Sequence, residues 1–198
     1  MSKNPEHHYL YELSAGLPVP ADDGACDHLT GVKMPSLSLQ STKGGYVDVA
    51  EVSSNKAVFF FFPAAGRPGV PDPPGWNEIP GARGCTPQIC SFRDLTGEFR
   101  ELRFEVFGVS AQRHEDLVEI THRNRVPYEL LSDSELRLGG ELRLPTFESR
   151  STIPLIPKVC VKRVSLVVES GRIRKVFYPV FPSDRNAELI LAYLRTDP

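Results

Sequence analysis

The chain divides into segments in which apolar residues alternate with polar ones, as in strands, and segments in which they recur every three or four positions, as in helices. The unbroken apolar run at 57–62 predicts a strand buried on both faces in the middle of a sheet. Residues 37–40 and 46–49 alternate around a Lys43-Gly44-Gly45 turn and predict a β-hairpin before that strand. Residues 53–56 predict a second turn.

Downstream of the apolar run, the same periodicities predict further helices, strands and a second hairpin. In chain order these are a helix over 86–102, a strand over 105–110, a helix over 112–124, a strand over 126–131, a weak helical turn over 136–142, a hairpin of 161–168 with 172–178, and a helix over 184–194 capped by Ser183 or Asp184. Strands that alternate with helices favour an α/β fold, with a central mixed sheet, an antiparallel edge and flanking helices. A thioredoxin-like sandwich has this plan.

The remaining segments are loops and an N-terminal arm. Residues 63–84 form a long loop with six prolines, and residues 143–158 form a second loop. A loop as long as the first is usually functional. Its tryptophan, Trp76, would be a buried plug that holds the loop down, or else a wall of the active site or a docking surface. Residues 1–27 are predicted to be an irregular arm, with its first ten residues as readily disordered as ordered, and residues 28–198 to be one domain.

Composition narrows the functional classes. The chain has 198 residues, a formal net charge of −2, and 40% hydrophobic and 24% charged residues, which is typical of a soluble globular protein. There is no strongly basic balance, so nucleic acid is not an expected partner. No apolar stretch approaches the length of a membrane span, and the polar start is not a secretory signal. We therefore expect a cytoplasmic protein with no membrane partner.

Four cysteines, at positions 26, 85, 90 and 160, are the candidate reactive groups. In a reducing compartment, cysteine pairs are more often catalytic or metal-binding than structural. His114 and His122 do not form a zinc-binding spacing with the cysteines, so no metal is expected. Cys160 is predicted to be a buried bystander. Cys26 is predicted to be a bystander as well, with a minor alternative role as a substitute resolving thiol.

The stretch 84–94, GCTPQICSFRD, places Cys85 where the long loop gives way to a predicted helix, and Cys90 five residues later. The partial positive charge of a helix N-terminus stabilises a thiolate, the nucleophilic form of cysteine. A second thiol nearby traps an oxidised first one as a disulfide. Five helical residues rise about 7.5 Å and turn about 140°, which is too far for a disulfide, so the helix must first unwind locally. This outline predicts a thiol peroxidase.

Four stretches taken together resemble the peroxiredoxin family of redoxins, closest to the Q type, also called bacterioferritin-comigratory proteins. They are FFFP at 60–63, GCTPQIC at 84–90 followed by FRD, VFGVS at 106–110 with LLSD at 130–133, and KRVSLVV at 162–168 closed by Gly171. The resemblance spans about residues 32–195, and the order of the stretches strengthens it. It implies a thiol-dependent peroxidase that reduces hydrogen peroxide or organic hydroperoxides.

By this resemblance, Cys85 is the peroxidatic cysteine, Cys90 the resolving cysteine and Arg163 the guanidinium beside the thiolate. No haem, flavin or metal cofactor is implied. The disulfide would be reduced by thioredoxin, glutaredoxin or a related dithiol donor. A monomer is favoured over a dimer, because the disulfide forms within one chain.

One position departs from the family pattern. The family has Thr or Ser three residues before the peroxidatic cysteine, and this chain has Ala82 there. The separation between Pro63 and Cys85 is also longer than usual, which indicates an insertion. Thr86, Arg83 or a backbone N–H group is therefore expected to bind the peroxide in place of the missing hydroxyl.

Two other functions stay open. The missing hydroxyl at Ala82 leaves room for a peroxide-sensing redox switch, which would be oxidised once and turn over slowly. A thioredoxin-like disulfide oxidoreductase is disfavoured, because Cys85 and Cys90 do not form a Cys-x-x-Cys motif.

Overall fold

The structure is a computed structural model that describes residues 9–196. Its helices and strands in chain order are β1 (Ser38–Ser41), β2 (Tyr46–Asp48), α1 (Val49–Ser53), β3 (Lys56–Phe61), α2 (Cys85–Asp94), α3 (Thr96–Glu101), β4 (Glu105–Ser110), α4 (His114–Asn124), β5 (Glu129–Ser132), α5 (Arg137–Glu141), β6 (Thr146–Glu148), β7 (Val159–Val161), β8 (Val164–Glu169), β9 (Arg172–Phe177) and α6 (Asn186–Thr196). Over the described range, no helix has the length and apolar character needed to cross a membrane. The disorder considered for the first ten residues falls mainly on residues 1–8, outside the described range.

Seven strands form one sheet in the order β2-β1-β5-β4-β3-β8-β9. The central strands β3, β4 and β5 run parallel, and the neighbours on both sides are antiparallel. The predicted hairpin is formed by β1 and β2, with Leu39 opposite Val47. Strands β6 and β7 form a separate antiparallel pair. The predicted α/β fold with a central mixed sheet and an N-terminal hairpin is confirmed.

The apolar run that predicted a central strand is β3, which lies between β4 and β8. Phe59 and Phe61 pack into one core layer, and Phe60 and Phe62 pack into the layer on the opposite face. Successive strand side chains point to opposite faces, so a strand covered on both sides needs an uninterrupted apolar run. Phe60 stacks on Phe92 of α2 with ring centroids 4.1 Å apart, which fixes α2 against the sheet.

The prediction of a single helix over 86–102 is wrong, because two helices, α2 and α3, occupy this region. The backbone at Leu95 leaves helical geometry, with φ −104° and ψ 8°, and separates α2 from α3. The Thr96 hydroxyl donates to the Phe92 carbonyl at 2.7 Å. Hydroxyl groups bonded in this way bend helices, and the apolar periodicity that runs across Leu95 does not reveal the break.

Short elements account for several other differences. The end of the predicted hairpin and the start of the following turn are helix α1, whose first turn is capped by the Asp48 carboxylate at 3.0 Å from the Glu51 N–H. The predicted loop 143–158 contains β6. A period is difficult to recognise in three to five residues, so the pattern missed these elements.

Two boundaries near the candidate site also differ from prediction. The strand predicted over 161–168 is two strands, β7 and β8, with Lys162 and Arg163 between them. The last helix begins at Asn186, after a 3₁₀ turn at Ser183–Arg185. The Ser183 hydroxyl does not cap that turn, because it donates to the Gly84 carbonyl at 2.8 Å.

Candidate active site

Cys85 is the first residue of α2 and is only 3% exposed. Gly84 precedes it with φ 102°, a left-handed conformation that favours glycine. A Cβ atom at Gly84 would also collide with the side chains of Ser183 and Leu13. The long loop after β3 therefore delivers the thiol to a helix N-terminus through a position that only glycine fits.

Arg163 lies just before β8 and is 3% exposed. Strand β8 runs antiparallel to β3 with Val164 opposite Phe61, so Arg163 lies at the carboxyl end of β3. The loop that leads to Cys85 starts at this edge of the sheet. The structure brings the two residues together: Arg163 Nη2 donates to Cys85 Sγ at 3.2 Å.

The other bonds of the Arg163 guanidinium go to neutral groups. Nη2 also faces the carbonyl oxygens of residues 81, 82 and 83 at 3.2, 3.4 and 3.3 Å, and Nη1 donates to Gln88 Oε1. Among residues 9–196, no carboxylate forms an ion pair with Arg163. Cys85 is therefore the one hydrogen-bonding partner of this buried cation in that range that can carry a negative charge.

Gln88 belongs to the site although the sequence analysis did not select it. Its Nε2 donates to Asn186 Oδ1 at 2.9 Å, and Ser165 Oγ donates to the same oxygen at 2.7 Å. All three side chains are buried. A buried glutamine in the second turn of α2 connects Arg163 to α6, and such polar networks stiffen the groups that they link. The glutamine in the GCTPQIC stretch was the signal in the sequence that could have identified this residue.

A small cavity of about 20 Å³ lies at Cys85. Its lining includes both residues predicted to bind the peroxide, Thr86 and Arg83. The Arg83 guanidinium is already engaged, because it pairs with the Asp72 carboxylate and donates to the Tyr9 carbonyl. Burial raises the pKa of Asp72, and Arg83 acts in the opposite direction.

Ala82 occupies the position where the family has a hydroxyl. Its side chain is fully buried in a cluster with Trp76 and Cys160. Its carbonyl oxygen faces Arg163, and it accepts from Cys85 Sγ at 3.6 Å. Trp76 is 3% exposed and also lines the cavity. Trp76 is thus both a buried anchor of the long loop and part of the cavity wall. Because it is buried, it does not form a docking surface.

Cys90 is half-buried in the second half of α2, with its Sγ 4.0 Å from Asn124 Oδ1. Burial raises the pKa of the Cys90 thiol above its ordinary value, against a lowering by Arg93. Arg93 Nη1 donates to the Asn124 carbonyl at 2.9 Å, and the Tyr128 hydroxyl donates to the Ile89 carbonyl at 2.7 Å. These contacts hold this part of α2 against α4 and the segment that follows it.

The other two cysteines are buried. Cys160 is completely inaccessible, as predicted, and Cys26 packs in the core layer on the face of the sheet opposite Cys85. Burial raises the pKa of each thiol to about 12. All four cysteines are free thiols. In the part of the chain that the structure describes, no three His, Cys, Asp or Glu side chains cluster as metal ligands.

Comparison with known proteins gives the family. The redoxin family model matches residues 29–191. The chain belongs to the redoxin family. Its curated relatives include the chloroplastic peroxiredoxin Q of Sedum lineare, 27% identical over 84% of this redoxin and 77% of the relative. A relative from Mycobacterium tuberculosis is 30% identical over 53% of this redoxin. The match spans only 57% of that relative's length.

Solved structures give the same result for the fold. Peroxidoxin BcpB from Mycobacterium tuberculosis is similar to this redoxin with a TM-score of 0.66 and 26% identity, over 86% of this chain and 98% of that one. Peroxiredoxin Q from Xanthomonas campestris has a TM-score of 0.62 and 18% identity, over 92% and 98% of the two chains. The resemblance to Q-type peroxiredoxins noted from the motifs is confirmed.

Proposed function

We propose that this redoxin is a thiol peroxidase in which Cys85 reduces hydrogen peroxide or organic hydroperoxides. The observation that carries the proposal is a buried guanidinium, on Arg163, whose one ionisable partner in the described range is Cys85. A buried cation without an anionic partner is costly by several kcal/mol. The Cys85 sulfur lies within hydrogen-bonding distance of this cation, so the guanidinium is placed to stabilise negative charge on the sulfur during its reaction.

The first chemical step is attack of the Cys85 thiolate on one peroxide oxygen. An S–O bond forms and the O–O bond breaks, so the sulfur is oxidised to sulfenic acid and the peroxide is reduced. The leaving oxygen takes a proton and departs as water or an alcohol. The cavity at Cys85 holds Thr86 and Arg83, which we propose as the groups that orient the peroxide, while Arg163 stabilises the charge on the reacting atoms.

The second step is attack of the Cys90 thiolate on the Cys85 sulfenic acid. A disulfide forms, and the sulfenic oxygen leaves with a proton as water. The two thiols are the first and sixth residues of α2. Their Cα atoms are therefore more than about 8 Å apart in an intact helix, whereas a disulfide needs about 4.4–6.8 Å. Local unwinding of α2 precedes the bond.

The proposal extends to the partners. The disulfide is returned to two thiols by a dithiol donor of the thioredoxin or glutaredoxin kind, which supplies the two electrons. The cycle uses only protein thiols, and it runs within one chain, which favours a monomer over a dimer. A cytoplasmic location, where such donors keep thiols reduced, stays a prediction from the sequence.

The test is rapid mixing of the reduced protein with hydrogen peroxide, followed by mass spectrometry of the products. The wild type should gain a Cys85–Cys90 disulfide. Cys85→Ser should not react, and Cys90→Ser should stop at sulfenic acid or a higher oxide of Cys85. Cys26→Ser is the matched control, because this thiol is buried in the opposite core layer, and it should behave as the wild type.

Steady-state assays separate a peroxidase from a peroxide sensor. With thioredoxin and its reductase present, a peroxidase consumes many equivalents of hydrogen peroxide per chain. A single oxidation followed by little turnover would support the sensor and contradict the peroxidase. Insulin reduction without peroxide consumption would support a disulfide oxidoreductase.

A further inference from the structure

Residues 9–13, here called the N-terminal strap, lie over the cavity at Cys85. Leu10 lines that cavity and is 6% exposed. A Cβ atom at Gly66, which also lines the cavity, would lie 2.8 Å from Leu10 Cδ2, so the two segments are in close contact. Leu13 packs against Gly84. The strap precedes the first residue matched by the redoxin model, residue 29.

Polar contacts anchor the strap to the long loop and to α4. On the side of the long loop, the Arg83 guanidinium donates to the Tyr9 carbonyl and lies 5.1 Å from the centre of the Tyr9 ring, and the Tyr9 hydroxyl donates to the Val70 carbonyl at 3.2 Å. On the side of α4, Arg123 Nη1 donates to the Tyr11 hydroxyl at 3.3 Å. The Tyr9 and Tyr11 side chains are 37% and 40% exposed. These anchors can be released without opening the protein core.

The size of the covered cavity sets a limit on what reaches the sulfur. A volume of about 20 Å³ admits little more than one water-sized molecule. Hydrogen peroxide is larger than water by one oxygen atom. A tert-butyl hydroperoxide has four more carbon atoms than hydrogen peroxide, which a cavity of this volume does not hold.

We propose that the N-terminal strap, through Leu10, is a size filter that favours hydrogen peroxide over bulky organic hydroperoxides at Cys85. This inference rests on the proposed peroxidase function. A bulky substrate reaches the thiolate only in molecules whose strap has lifted. Its observed rate constant is therefore proportional to the fraction of molecules in that open state.

The test measures the rate constants of Cys85 oxidation by hydrogen peroxide and by tert-butyl hydroperoxide in the full chain. Leu10→Ala removes the apolar cover, and we expect the rate constant for tert-butyl hydroperoxide to rise about tenfold more than that for hydrogen peroxide. Leu189→Ala, an exposed leucine on α6, is the matched control and should leave the ratio unchanged. An unchanged ratio in Leu10→Ala overturns the filter.

A milder variant covers the case in which Leu10→Ala does not fold. Tyr11→Phe removes only the hydroxyl bonded by Arg123, and it should shift the same ratio by about threefold in the same direction. A ratio identical to that of the wild type in this folded variant also counts against the filter. Failure of hydrogen peroxide to oxidise Cys85 in the wild type is a different result, since it overturns the proposed peroxidase itself.

Discussion

Helix α2 carries one thiol at its start and another five residues later, and the surroundings of the two differ. Cys85 has a guanidinium at 3.2 Å and sits at the helix N-terminus. Cys90 has an amide oxygen at 4.0 Å and a pKa raised by burial. A buried guanidinium thus lies beside the first thiol, whereas burial raises the pKa of the second. The two cysteines differ in this way because the start and the middle of α2 contact different parts of the fold.

The largest expected effect comes from removing the cation at the first thiol. Arg163→Gln should lower the rate constant of Cys85 oxidation by hydrogen peroxide on the order of 100-fold, because it removes the donor that we propose stabilises charge on the reacting atoms. Rapid-mixing kinetics measures the rate constant. Circular dichroism checks that the variant is folded.

Lys162→Gln is the matched control for that change. Lys162 is the neighbouring residue, and its ammonium group pairs with Asp23 at 2.8 Å on the surface. Its loss should leave the rate within about twofold of the wild type, since a surface ion pair contributes little. An Arg163→Gln rate within threefold of the wild type would remove the distinction between the two thiols.

The second expected effect concerns the pH dependence of Cys90. Since burial raises its pKa, the folded protein should alkylate Cys90 at pH 8 about tenfold more slowly than the urea-unfolded chain does, and the rate should rise only at higher pH. Peptide mass spectrometry of the Cys85→Ser variant measures the rate of Cys90 alkylation at each pH. A midpoint at or below the ordinary thiol value of about 8.5 would contradict the contrast.

The same shift fixes the sign of a stability effect. The folded Cys90 thiol holds its proton to higher pH than the unfolded one does. Its contribution to stability is therefore complete below the ordinary thiol pKa and is lost as the pH rises through the raised value. The free energy of unfolding should fall less between pH 8 and pH 10 in Cys90→Ser than in the wild type, as urea titrations at the two pH values would show.

The smallest effect tests how the second half of α2 is held. Tyr128→Phe removes the hydroxyl that donates to the Ile89 carbonyl, beside Cys90. Loss of one hydrogen bond worth about 0.5–1.5 kcal/mol should make local unwinding about two- to twelvefold more favourable. Disulfide formation should accelerate by that factor, while oxidation of Cys85 to sulfenic acid should not change.

Tyr46→Phe is the control for the Tyr128 variant, because Tyr46 is 73% exposed on β2. Equal acceleration of both chemical steps in Tyr128→Phe would show a general loosening rather than a role in holding α2. No acceleration of either step would show that this bond does not limit the unwinding.

The sequence predicted those features that depend on neighbouring residues. The run at 57–62 predicted the strand that is covered on both faces, and the helix predicted from residue 86 begins one residue earlier, at Cys85. Contacts over long distances could not be predicted. Gln88 contacts Arg163 and Asn186, which are 75 and 98 residues away in the sequence. The spacing of apolar residues in strands and helices does not predict such pairs. Leu10 gave no signal for the same reason, since its partners lie in the loop after β3.

Trp76 has a practical consequence. It is the only tryptophan in the chain, and its indole ring lies buried at the wall of the cavity that contains Cys85. All indole emission from the protein therefore originates beside the cavity that contains the Cys85 sulfur. Rearrangement of that wall, by oxidation or by lifting of the chain above it, should alter the fluorescence, so the native protein provides its own optical reporter without an added dye.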